Sequence, residues 1–135
     1  MSPVKKLNVN EFYHLEIVGI YYQDSGDYIR DLPPKTELTL KPEPDNPYDS
    51  HAVSVWHKDV KLGYLAKSKN RPFFDALMGD GPKLKCILGK YRPSVIPTSK
   101  RSYSVFQPER ADITIHTFLE EIEWRPEFIL PEDVI

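Results

Sequence analysis

The stretch PEPDNPYDSHAVSV, Pro42 to Val55, decides how the chain is organised. Two prolines and two acids lead into Asn46-Pro47-Tyr48-Asp49, and after a Ser-His step the residues alternate small and apolar. Asn, Pro and Asp serve a corner for backbone reasons, because Pro presets φ while Asn and Asp side chains bond nearby backbone N–H groups. The alternation that follows is that of a half-buried strand, Ala52 to His57, with Val53 and Val55 inward. No such corner requires the ring of Tyr48.

Working outward, TELTLK precedes the corner and places Leu38 and Leu40 on one face, a second strand. Upstream, Phe12 to Tyr22 alternates with period two, putting Tyr13, Leu15 and Ile17 opposite His14, Glu16 and Val18, which predicts a first strand. Gln23 to Asp27 is turn chemistry. Downstream, His57 to Asp59 reads as a hairpin turn into VKLGYLA, with Val60, Leu62 and Tyr64 on one face and Gly63 suited to a bulge or a close approach. In KSKNRPFFDALMGDG, Ser68 or Asn70 can cap a short helix, Pro72 is tolerated in its first turn and Gly79 suits its end. Phe73, Ala76 and Leu77 form its apolar stripe. KLKCILG predicts a fifth strand with Leu84, Cys86 and Leu88 inward, Tyr91 to Pro108 a long basic loop, and ADITIHTFLE a last strand with Ile113 and Ile115 inward. Short strands with one late helix favour a small antiparallel β-barrel, since closure hides the sheet edges, with a β-sandwich as the competing arrangement. The helix after the fourth strand points to a barrel of the OB type.

The chain has 135 residues, 40% of them hydrophobic, which suits one domain, 12–118, between an N-terminal tail, 1–11, and an acidic, proline-containing tail, 119–135. No apolar run approaches the about 20 residues of a membrane span. MSPVKKLNVN lacks the apolar block of a secretory signal. One cysteine makes no internal disulfide and fits a reducing compartment, so the expected location is cytoplasmic. The net charge is −2, but between Lys58 and Arg101 eleven basic residues face three acids, Asp59, Asp75 and Asp80. Segregation of this kind suits an anionic ligand at one surface.

Enzyme signatures are missing. There is no phosphate-cradling glycine loop, no GxSxG elbow and no HExxH. The four histidines and Cys86 lack zinc spacing, so Cys86 reads as a small core residue. The acidic pairs Glu43/Asp45 and Glu120/Glu121 read as surface charge. No catalytic residue, metal or cofactor is expected.

The order of motifs resembles the HIRAN domain, found at the N-terminus of SWI/SNF-type helicase-like DNA repair proteins and as stand-alone bacterial and phage proteins. The resemblance covers about residues 12 to 118. It rests on Val18-Gly19-Ile20-Tyr21-Tyr22, Lys41 to Pro44, Asn46-Pro47-Tyr48-Asp49, Ala52-Val53-Ser54-Val55, Gly63-Tyr64-Leu65 and the Gly79/Gly81 turn. It implies a modified OB-fold barrel that binds single-stranded DNA, at a free 3′ end in characterised members, in DNA repair or processing and beside a repair, helicase or nuclease protein. By the same resemblance Asp49 accepts a hydrogen bond from the terminal hydroxyl, Tyr48 packs on the last nucleotide, and Asn46 holds the corner or touches the backbone. Tyr22 matches a ring on the terminal nucleotide and Lys67 a phosphate contact. Tyr21 departs from the basic residue that characterised eukaryotic members carry there.

The residues argue in the same direction. Single strands are held by stacking rings beside a positive track. Tyr21, Tyr22, Tyr48 and Tyr91 with the basic block supply both parts, and Tyr64 joins them as a candidate contact. A carboxylate repels phosphate, so Asp49 fits a DNA site only where the phosphates end, at a terminal hydroxyl donor. Two other readings remain at this level: a corner that is merely a turn with Tyr48 as a lid of the barrel, and a protein-interaction module that takes a partner peptide through the aromatic corner or the acidic tail.

Overall fold

A computed structural model describes residues 6–95 and 108–119 of the chain. The chain runs β1 (Phe12–Val18), α1 (Ile20–Gln23), α2 (Gly26–Arg30), β2 (Glu37–Glu43), β3 (Ala52–His57), β4 (Val60–Leu65), α3 (Arg71–Leu77), β5 (Lys83–Arg92) and β6 (Arg110–Phe118). All pairings are antiparallel, and the six strands close on themselves in the order β1-β4-β3-β2-β5-β6. Closure leaves no open edge to template aggregation. The domain is therefore mainly β, a closed sheet with three short helices among the described residues.

One core fills the sheet. Ile17, Val53, Val55, Leu62, Ile113 and Ile115 are fully buried, as period-two alternation requires of inward positions. Phe73 and Phe74 of α3 add rings to the same cluster, Phe73 meeting Tyr13 edge-on at 5.7 Å. Cys86 is buried within β5, and burial pushes its thiol pKa up, so it behaves as a core residue.

Two seams of the sheet are short. β1 and β4 share the pairs Ile17↔Leu65 and Val18↔Tyr64, and β2 and β5 share Glu37↔Ile87 and Leu38↔Cys86. At the first seam the structure corrects the sequence reading. The predicted strand to Tyr22 ends at Val18, because Gly19 adopts φ +75°, a left-handed conformation that favours glycine. The chain then turns into α1, burying Ile20 and leaving Tyr21 and Tyr22 outside.

Tyr64 is the second correction. A register shift between Val55 and Trp56 leaves Leu62 as the extra residue of a bulge. Leu62 and Leu65 are both buried, so Tyr64 does not share the inward face of Val60 and Leu62 and lies on the outer one instead. In α3 the helix starts after Asn70, with Pro72 in its first turn, but the Asn70 side chain caps nothing. Tyr91, expected to open a loop, belongs to β5. The rest of the basic loop, 96–107, and the acidic tail, 120–135, fall outside the described residues, as do residues 1–5.

Candidate nucleic-acid interface

The corner after β2 is built by its own side chains. The Asn46 Oδ1 atom accepts from the backbone N–H groups of Tyr48 at 2.9 Å and Asp49 at 3.2 Å. Asp49 Oδ1 in turn accepts from the His51 N–H at 3.0 Å. Two such side-chain turns in succession, with Pro47 between them, leave Tyr48 little backbone freedom. Its ring is 86% exposed. A ring in that position lids nothing, which removes the reading of Tyr48 as a cover of the core.

Asn70 supplies the tertiary anchor. It is only 2% exposed, and its Nδ2 donates to Asp49 Oδ2 at 2.7 Å. The residue expected to cap α3 thus orients the carboxylate of the corner. Each Asp49 oxygen accepts one protein hydrogen bond, and a carboxylate has about four lone-pair sites, so acceptor capacity remains on both.

Glu43 and Lys61 hold the other side of the corner. Lys61 Nζ lies 2.9 Å from Glu43 Oε2 and donates to the Tyr64 hydroxyl at 2.7 Å, and that hydroxyl donates to Glu43 Oε1 at 3.0 Å. Asn46 Nδ2 donates to the same oxygen at 3.1 Å. Burial works to raise the Glu43 pKa, but hydrogen bonds from Lys61, Ser54, Asn46 and Tyr64 outweigh it and hold the carboxyl at about 2. Glu43 is therefore not the free surface charge that the sequence suggested. Its only sequence signal is its position at the end of a strand before the corner, and nothing there names Lys61 as the partner.

A pH test follows from this network. The Glu43 pKa is depressed from 4.5 in the folded state, so in the window below that value the unfolded chain binds more protons. Its contribution is fully present above about pH 4.5 and is lost as the pH falls toward 2, amounting to about 3 kcal/mol. Urea midpoints compared at pH 6 and pH 3 are expected to fall less in Glu43→Gln than in the wild type. Equal falls would count against the network.

The corner meets β1 and β4 where their short seam parts. There a groove of about 690 Å³ is lined by Tyr22, Asn46, Tyr48, Asp49, Tyr64 and Lys67, over a floor that includes Val18 and Leu65. Six of the eight residues singled out in the sequence are brought together. Tyr21 stands beside them, its ring edge-on to Tyr22 at 5.5 Å and 75% exposed. Tyr22, like Tyr48, is 86% exposed. Lys67 reaches over the corner, its Nζ donating to the Tyr48 carbonyl at 3.3 Å, with two further N–H donors to offer.

Tyr91 is not part of this groove. It lines a separate depression with Ile29, Leu32 and Leu88, and its hydroxyl donates to Glu109, a bond that with burial pushes its pKa up to about 12. The basic block does not gather at the groove either. Lys61, Arg71, Lys85 and Arg92 each pair with an acid, Glu43, Asp75, Glu37 and Asp112. Among the described residues no group of His, Cys, Asp and Glu is arranged to hold a metal ion, and no helix is long and apolar enough to cross a membrane.

A small closed β-sheet with exposed rings, an oriented carboxylate and a lysine around one groove belongs to the class of binding modules. The family profile of the HIRAN domain, a nucleic-acid-binding domain, matches residues 10–89, and the chain belongs to that family. Among solved structures, a protein from Lactobacillus plantarum is similar at 28% identity, with a TM-score of 0.50, over 76% of this chain and 91% of that one. The HIRAN domain of human HLTF is similar at 16% identity, with a TM-score of 0.49, over 80% of this chain and 78% of that one. No curated protein matches the chain.

Proposed function

We propose that this chain is a non-enzymatic module that binds single-stranded DNA, at a free 3′ end, through the groove between the Asn46–Asp49 corner and the β1–β4 seam. The closed sheet is read here as a modified OB-type barrel, and the service as DNA repair or processing. One observation carries the reading: two rings, Tyr22 and Tyr48, each 86% exposed, share a groove with the fixed carboxylate of Asp49 and the ammonium of Lys67. Exposed rings held by rigid backbone suit base stacking, which needs a π-face and loses little side-chain entropy. Lys67 meets a phosphate, and the carboxylate marks the place where no phosphate follows. Tyr21 extends the ring platform and Tyr64 backs it from below.

Tyr48→Ala tests this directly. The ring contributes nothing to the core, so stability should stay within about 0.5 kcal/mol of the wild type. Binding of a short single-stranded oligonucleotide with a free 3′ end should weaken by about 1–3 kcal/mol, read by fluorescence anisotropy. Unchanged binding would remove the stacking role and with it the observation on which the reading stands.

A further inference from the structure

We propose that the strand continues from its bound end across the outer face of β1, β6 and β5, where Lys69 and Lys90 take its upstream phosphates. This rests on the reading above and adds a second, sequence-independent subsite to it. The observation is continuity. A groove of about 500 Å³ runs over His14, Glu16, Asp112 and Thr114 between Lys69 and Lys90, and it shares Val18 with the groove at the corner. Ala66, which also lines it, adjoins Leu65 and Lys67 of the end site in the chain.

A strand leaving the corner has another neighbouring groove, over Pro42 to Pro47, sharing Asn46, Tyr48 and Tyr64 with the end site. That one carries Glu43 and Asp45, and Lys61 beside it is already committed to Glu43. Phosphates are repelled there. On the β1–β6–β5 face the acids are the ones committed. Asp112 holds Arg92 through three hydrogen bonds of 2.9 to 3.2 Å, and Glu16 lies 3.8 Å from Arg110. Lys69 and Lys90 are exposed and form no ion pair among the described residues, so they give this groove its positive excess. Gly89 keeps its edge low, since a side chain at that position would meet Asp112 at 3.1 Å. Charge therefore selects this exit.

The test compares oligothymidylates of about 3 and 10 nucleotides, both with a free 3′-hydroxyl, on the wild type and on Lys69→Ala/Lys90→Ala. The wild type should bind the longer strand roughly tenfold tighter, and with a salt dependence steeper by about 1.4 in log–log slope, the value for two phosphates on a single strand. The double variant should lose that increment on the longer strand and keep the wild-type affinity for the shorter one. Equal wild-type affinity for the two lengths overturns the path and leaves the end site standing. So does a double variant that binds the longer strand as the wild type does, or that loses equally on both. No wild-type binding to either length overturns the path and the end site together. Both lysines are exposed, so a urea unfolding curve that matches the wild type is the expected control.

Discussion

A single strand ending in a free 3′-hydroxyl is expected to bind this protein at least tenfold tighter than the same strand ending in 3′-phosphate. On the proposed reading the hydroxyl donates to Asp49, whose oxygens each retain acceptor capacity beside the bonds from His51 and Asn70. Phosphorylation removes that donor and brings a second anion against the carboxylate. A charge-assisted hydrogen bond is worth roughly 1.5–3 kcal/mol, which sets the tenfold floor. Asp49→Asn should shrink the preference, because the amide carries no charge and its NH₂ can donate to phosphate. The substitution also disturbs the corner. An amide has one acceptor atom for the two donors that now reach Asp49, so about 1–3 kcal/mol of stability should be lost through the buried Asn70. The ratio between the two ends, measured on folded protein, is therefore the quantity that separates recognition from support. Equal wild-type affinity for both ends would return Asp49 to the role of a turn residue.

Gly63→Ala is expected to lower stability by about 3 kcal/mol, the upper part of the range for forcing extra volume into a packed site. A Cβ on Gly63 would lie 2.4 Å from the Val18 carbonyl oxygen and 2.7 Å from Ile17 Cγ2. The first of these is backbone and cannot swing aside. The strain falls on the β1–β4 seam, held by two residue pairs, so the strands are expected to part there. Val18 and Leu65 floor the groove proposed to bind the strand end, so oligonucleotide affinity should fall with stability. For a domain of this size the loss corresponds to roughly a 10 °C drop in melting temperature, measurable by circular dichroism. A variant that melts with the wild type would show that the two strands can separate at Gly63 without cost.

The two expectations meet in one place. The groove lies at one of the two seams held by only two residue pairs, and its features come from residues far apart in the chain: Tyr22 after β1, the corner after β2, Tyr64 in β4, Lys67 before α3, with Asn70 anchoring Asp49. The left-handed turn at Gly19, φ +75°, follows Val18 of its floor, and the Glu43–Lys61–Tyr64 cluster reaches it through Tyr64.

Much of this was legible in the sequence, for reasons of period and local chemistry. Inward Val53 and Val55, Leu38, Cys86, Ile113 and Ile115 follow from alternation, because side chains two apart on a strand share one face and these share the face turned to the core. The hairpin at Lys58-Asp59 follows from its turn residues, and the rigid corner at Asn46–Asp49 from side chains that bond the neighbouring backbone. Tyr48 stood out because no turn needs a ring in that place, and Asp49 and Lys67 stood out through the resemblance to the family. Only the tertiary structure decided the rest. Gly19 ended β1 four residues before its alternating pattern did, since a pattern of apolar residues does not record a backbone dihedral. A one-residue bulge moved Tyr64 to the outer face, because register depends on how β3 pairs with β4 and not on β4 by itself. Charge was the least legible. Part of a basic block continuous in sequence became separate ion pairs in space, since Lys61, Arg71, Lys85 and Arg92 each answer to the acid that folding sets beside them. The same physics held Glu43 ionised beside the corner, while Lys67, Lys69 and Lys90 line the two grooves without an ion pair among the described residues.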